Sequence, residues 1–404
     1  MPGFARLAPA LLLLAACGGG DAAETALSVP VIDTLPGGVV RVTNTGPTAW
    51  AGDVGWRFEQ TATIAPAEGS PGELSDIAGL VTDDAGNVYV MQRQPALIKV
   101  YGPDGAWKMD IGREGDGPGE FRPGMLGLVG DTLIVQDPNN TRMTTFLTDG
   151  TFLDTHPSQC CWSTSRGLTS FDDGSVAILG PPADQESSSG AYFMTRPDGT
   201  VIDTVPMLPR DPNRDPDGAW VVRRTSGQSS SIYMTNIPGR PQDLSAFRRD
   251  RMIVRGNTAT YELVLGRTFT DTARIIRAEA PELSLTDAQR DSLFDEAIEG
   301  VGESWREGFL EVAKRSDIPG TRPRWSALAV DDANRIWVGL PGPSSSVETI
   351  EVFSPEGVLL GRLAAPDPGI LGGVFHGDRV VLRDESDLGL PIIRIFTLRR
   401  PSES

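Results

Sequence analysis

Residues 78–112 read AGLVTDDAGNVYVMQRQPALIKVYGPDGAWKMDIG, and residues 327–363 read ALAVDDANRIWVGLPGPSSSVETIEVFSPEGVLLGRL. In each, a hydrophobic strand enters an Asp/Asn-rich turn, a β-branched or aromatic second strand follows, and a Pro/acid/Gly turn joins two further strands. Such tight turns need residues that tolerate positive φ, which is why Gly, Asn and Asp recur in them. Second strands of the same kind fall at Leu133-Ile134-Val135, Val176-Ala177-Ile178, Met252-Ile253-Val254 and Val380-Val381-Leu382. Outer turns recur at Thr148-Asp149-Gly150 and Pro197-Asp198-Gly199, while copy four has Gly266-Arg267 and Asp271 in place of a clean turn. A strand-only repeat of roughly 40–45 residues is the mark of a propeller blade. The expected fold is therefore all-β, a six-bladed β-propeller over residues 54–404.

The sixth copy stops short. After Ile393-Arg394-Ile395-Phe396-Thr397-Leu398 the chain ends without a fourth strand, and a spare strand stands at the front, in residues 56–64 (WRFEQTATI). An open ring would leave an unpaired sheet edge, which natural sheets avoid. The N-terminal strand is therefore expected to complete the last blade. One stretch breaks the strand pattern: in 284–316 the apolar residues Leu293, Ala297, Val301, Trp305 and Phe309 have helical spacing, and Thr286 with Gln289 reads as a capping box. A single helical insertion is expected between blades four and five, packed on the propeller flank or lying over one face as a lid.

At these residues the chain resembles the NHL-type six-bladed propellers, and in particular the exported bacterial propeller lipoproteins. The likeness runs from residue 54 to 400 and is densest in Gly115-Asp116-Gly117-Pro118-Gly119-Glu120-Phe121, echoed by Gly69-Ser70-Pro71-Gly72-Glu73-Leu74. It implies fold rather than activity, since propellers host enzymes, receptors and scaffolds alike.

The N-terminus carries Arg6, an apolar run over 7–16 and then Leu14-Ala15-Ala16-Cys17. A basic start, a short apolar core and small residues at the cut describe an export signal over 1–16. The ending resembles the bacterial lipobox, which implies lipidation of Cys17 and anchorage in the cell envelope, facing the periplasm from the outer membrane. The Gly/Thr/Pro-rich stretch 17–53 then reads as a flexible tether. Lys+Arg 36 against Asp+Glu 54 gives a net charge of −18. So acidic a surface repels phosphate backbones and argues against nucleic acid as a partner.

Function in a propeller is sought in the loops between second and third strands and between blades, which share one face around the channel mouth. Candidates there are Arg93, Arg113, Asp137, Asn139, Arg142, His156, Trp162, Asp384 and Asp387. Asp154 to Trp162 is the least regular of these segments. With Cys17 committed to lipid, Cys160 and Cys161 form a vicinal disulfide, remain free thiols, or join His156 in a metal or redox site. Arg210, Arg214, Arg223-Arg224, Arg248-Arg249 and Arg251 could form a local anion patch. No Ser/His/Asp spacing, phosphate loop or H-E-x-x-H motif occurs, and the chain has two histidines, His156 and His376. The expectation is a monomeric, non-catalytic binding or scaffold module for an envelope protein or small ligand, with no cofactor. The alternative is a cation-dependent, lactonase-like hydrolase or lyase. In that case Asp137, Asn139, Asn140, Asp384 and Asp387 would converge on Ca2+.

Overall fold

The computed structural model describes residues 29–46, 55–158, 167–182, 189–209, 218–226, 229–342 and 346–400. Within them the repeat folds into six blades, each a four-stranded antiparallel meander. Blade one comprises Ile77–Thr82, Val88–Arg93, Ala96–Tyr101 and Trp107–Ile111, from channel to rim. Blade five repeats it with Ala327–Val330, Ile336–Pro341, Val347–Phe353 and Leu359–Ala364.

The inner turns are set by their aspartates. Asp83 accepts hydrogen bonds from the Asn87 side chain (2.7 Å) and the Tyr89 hydroxyl (2.8 Å), six residues along on the next strand. Asp331 repeats the device with Arg335 (2.6 Å) and the Trp337 indole (2.8 Å). These residues close the turn and pin the large aromatic of the second strand at once.

Strand alternation explains why the second strands are apolar on both faces. Tyr89 and Met91 pack toward blade two, while Val88 and Val90 pack toward blade six. Trp337 likewise faces blade six, and Ile336 and Val338 face blade four. Each of the six blade-to-blade interfaces thus has its own apolar cluster, and the cluster between blades six and one closes the circle. The N-terminal strand is the clasp. Arg57–Ile64 pairs antiparallel with Pro391–Arg399 as the outermost strand of blade six, and Ile64 is buried against blade one.

Three elements differ from the expectations. The flexible tether expected over 17–53 does not extend that far. Val31–Thr34 and Val40–Thr43 form a hairpin, whose second strand pairs parallel with Arg274–Arg277, the outer strand of blade four. The turn is made by Gly37 and Gly38, at φ 84° and 81°, and Arg41 bonds Asp33 across the hairpin at 2.6 Å. Asn44 then enters the seam between blades four and five. Its amide donates to the carbonyls of Arg277 (3.2 Å) and Gly357 (3.0 Å), and its oxygen accepts from the Leu359 N–H (2.8 Å). The docking is non-local, and four-residue strands carry too little pattern to announce it.

The single helix expected in 284–316 is two, α1 (Asp287–Glu299) and α2 (Glu303–Val312), parted at Gly300 and Gly302. The capping box of Thr286 and Gln289 is present at the start of α1. The long connection 208–245 contains a hairpin, Ala219–Ser226 paired with Ser229–Asn236, and its end already belongs to the inner strand of blade four, Asp243–Phe247.

Candidate functional site

Connections between blades, and between second and third strands, all emerge on one face by topology. Both insertions lie there, and they fold together. Leu293, Phe294, Ile298, Val301 and Phe309 of the helices bury against Trp220, Val222 and Ile237 of the hairpin, in a cluster separate from every blade interface. The Trp220 indole donates to Asp317 (2.8 Å), and the Arg224 guanidinium lies 4.6 Å over the Trp305 ring. The helices are thus neither a flank element nor a bare lid. With the hairpin they form a cap with its own core, joined to blades three, four and five.

On the same face, the starts and ends of strands in blades one and six frame an open cleft of about 680 Å³. Its lining includes Asp76, Arg93, Arg383, Asp384 and Glu385. Arg93 bonds Asp76 at 2.6 Å, and Arg383 donates to the Ile77 carbonyl at 2.8 Å. Asp384 pairs with Arg394, which also holds Asp367. Two guanidinium and three carboxylate groups thus border one cleft.

Of the sequence candidates, Arg93 and Asp384 meet in this cleft. Asp387 sits exposed in the adjoining hairpin turn, between Arg379–Glu385 and Pro391–Arg399. Asp137, Asn139 and Arg142 belong to a different assembly in blade two. The fully buried Asp137 carboxylate accepts from the N–H groups of Arg122 (2.9 Å), Asn139 (3.0 Å) and Asn140 (3.0 Å), and from the Asn140 amide (2.8 Å). Its acceptor capacity is spent on the turn. Arg142 donates to the carbonyls of Asp116 (2.7 Å) and Glu120 (2.9 Å), so it clamps the glycine-rich loop 113–121. Arg113 pairs with Glu120 (2.7 Å) at the surface. In the same loop Asp116 is held down at about 2, first by the hydrogen bond from Arg122 and then by that from Asn140.

Asp137, Asn139 and Asn140 therefore do not converge with Asp384 and Asp387, because they stand on blades two and six, the Asp137 oxygens are taken by Arg122, Asn139 and Asn140, and Asp384 pairs with Arg394. Among the described residues no three His, Cys, Asp or Glu side chains lie close enough to share a metal ion. His156 is on Phe152–Pro157, the rim strand of blade two, 3.5 Å from Asp154 rather than at the channel mouth. Cys17, Cys160, Cys161 and Trp162 lie outside the described residues.

The arginines do not gather. Arg248, Arg249 and Arg251 sit at the inner turn of blade four, on the opposite face from Arg223 and Arg224, and bond Asp250, Asp172 and Asp173 respectively. Arg210 and Arg214 lie outside the described residues.

The cleft residues Asp76, Arg383 and Glu385 were legible only in part. The Arg383-Asp384-Glu385 run ends a second strand, but nothing local says that blade one lies against it. The opposite mouth of the channel, framed by the inner turns, opens into a cavity of about 380 Å³.

No protein-family model matches the chain, and no curated protein matches it. Among solved structures, the chain is similar to a Bacteroides fragilis protein described as exported, at 10% identity and a TM-score of 0.44, over 89% of this chain and 99% of that one. A member of the DUF4221 family from Bacteroides vulgatus gives 11% identity and a TM-score of 0.42, over 86% and 99%. Virginiamycin B lyase from Staphylococcus aureus gives 10% and 0.38, over 85% and 100%. The activities in those names belong to those proteins.

Proposed function

We propose that this chain is an exported lipoprotein, held in the envelope by lipid on Cys17, whose monomeric propeller is a non-catalytic binding module. The cleft between blades six and one takes a small polar ligand carrying both charges, such as a dipeptide. One observation carries this reading: Arg93 and Arg383 border the cleft together with Asp76, Asp384 and Glu385. A zwitterion can exchange partners with both signs there, and its own solvation is replaced by paired charges at little net cost.

The N-terminal hairpin bounds the distance to the membrane. The eleven residues 18–28 lie between Cys17 and the described arm. At full extension they span at most about 40 Å. Lipid on Cys17 would therefore hold the docked arm within about that distance of the bilayer.

Three measurements test this reading. The wild-type chain should fractionate with membranes and Cys17→Ala with the soluble fraction; identical partitioning removes the anchor. Calorimetry with alanyl-alanine should show binding, weakened at least tenfold in Arg93→Ala and Arg383→Ala, and its absence sinks the cleft assignment. Stoichiometric calcium together with ester hydrolysis by the purified chain would overturn the non-catalytic reading.

A further inference from the structure

The face that carries the inner turns has no part in the reading above, yet every blade delivers an aspartate to it: Asp84, Asp131, Asp172, Asp250, Asp332 and Asp378. Three observations make this ring more than a set of solvated turns.

The first is a cavity. The mouth, about 380 Å³, is lined by Thr82, Asp84, Asp332, Phe247, Phe375 and His376 among others. It shares Thr169, Phe247, Val330, Gly373 and Val374 with a second space of about 320 Å³ further along the channel, where Leu179, Tyr192 and Leu328 form apolar walls. A ligand can therefore place a short apolar body inside and a polar head at the rim.

The second is the charge of the rim. Asp84 is fully exposed and touches His376 (2.8 Å), and Asp332 accepts one backbone N–H from Gly377 (2.6 Å). Arg249, also in the lining, is tied to Asp172 (2.9 Å), so it leaves the aspartates of blades one and five in excess. Low-dielectric walls focus that field into the mouth, and a chain of net charge −18 draws cations toward it.

The third is an orphan. Thr82 lines the mouth, is 5% exposed, and its hydroxyl oxygen has no hydrogen-bond partner. A buried hydroxyl retains acceptor lone pairs that normally find a donor. The oxygen is enclosed in this rotamer, and an N–H-bearing cation supplies a donor once the side chain turns about χ1 toward the mouth.

We propose that this mouth binds a primary organic ammonium. The ammonium sits between Asp84 and Asp332, donates to the Thr82 hydroxyl and lies near the Phe247 and Phe375 rings, while its alkyl part enters the channel. Among the described residues no three His, Cys, Asp or Glu side chains could hold a metal ion, so the mouth offers carboxylates and aromatic rings to an organic cation rather than a metal shell.

The test is calorimetry on the purified full chain with n-butylammonium as probe and n-butanol as its neutral counterpart. Butylammonium should bind, weaken as salt rises, and lose at least tenfold in affinity in Asp84→Asn/Asp332→Asn and several-fold in Thr82→Val. Arg113→Ala, on the opposite face and outside the zwitterion cleft, should bind it unchanged, and excess alanyl-alanine should not displace it, which separates the two sites. Should the double variant fail to fold, Asp84→Asn alone carries the test, since that side chain is fully exposed. Equal affinity for butanol, undiminished affinity in a folded aspartate variant, or no heat of binding would each overturn the proposal.

Discussion

At the residue scale, two side chains show how a loop and a terminus are held by polar chemistry rather than by apolar burial. Asp116 anchors the glycine-rich loop through Arg122 (2.8 Å) and Asn140 (3.0 Å), which hold its carboxyl at about 2. An ordinary aspartate in the unfolded chain titrates near 3.9. The clasp is therefore complete above about pH 4 and is lost as pH falls toward about 2. Carboxyl NMR titration should place Asp116 near 2, and Arg122→Ala should raise it toward the ordinary range; an unmoved titration would show that Arg122 does not hold it. Asn44, only 7% exposed, satisfies two carbonyls and one N–H in the seam between blades four and five. Asn44→Ala removes the partner of the Gly357 carbonyl and of the Leu359 N–H, while the Arg277 carbonyl keeps the backbone N–H of residue 44 (2.9 Å), so denaturant unfolding should show a loss of about 1–3 kcal/mol. A loss below a few tenths of a kcal/mol would mean that water replaces the side chain.

At the scale of elements, α1 begins with reciprocal hydrogen bonds between Thr286 and Gln289, the Gln289 oxygen lying 2.9 Å from the Thr286 N–H. Thr286→Ala should destabilise it by about 1 kcal/mol. Because the helices bury against the hairpin rather than against a blade, the loss should appear as faster amide exchange in 287–312 and 219–236, with blade protection unchanged; loss across the blades would contradict a separate cap core. Such elements were readable in proportion to how local their signals are. The capping box and the Asp/Asn turns announce themselves within a few residues, and the second strands do so by continuous apolar runs. The hairpin over 219–236 escaped because Arg223-Arg224 and Ser229-Ser230-Ser231 interrupt its alternation and its partner helices lie some sixty residues on. The arm over 31–43 escaped for the same reason, its partner being Arg274–Arg277. The cleft is the extreme case: Arg93 and Arg383 stand near opposite ends of the chain, and only ring closure makes them neighbours.

At the scale of the whole molecule, stability depends on that closure. Arg57–Ile64 covers the edge of Pro391–Arg399, Arg399 bonds Glu59 at 2.7 Å, and Ile64 is buried at the interface with blade one. Removing it exposes a nine-residue strand edge and opens one of six interfaces, each of which borders two blades. The docked arm is different in kind, for 31–43 adds to the outside of an already complete blade. Two truncations separate these roles. A chain starting at residue 55 keeps the ring and should retain cooperative unfolding, lowered by the loss of Asn44, of the buried Val42 and of the pairing with Arg274–Arg277. A chain starting at residue 66 should lose cooperativity or unfold at much lower temperature. A peptide spanning 55–65, added in trans, should restore part of that loss, because the vacated edge offers it both backbone hydrogen bonds and the Ile64 pocket. Equal melting of the two truncations, with no response to the peptide, would show that the ring holds without its clasp. It would also detach the blade-one and blade-six cleft from the strand that brings its two sides together.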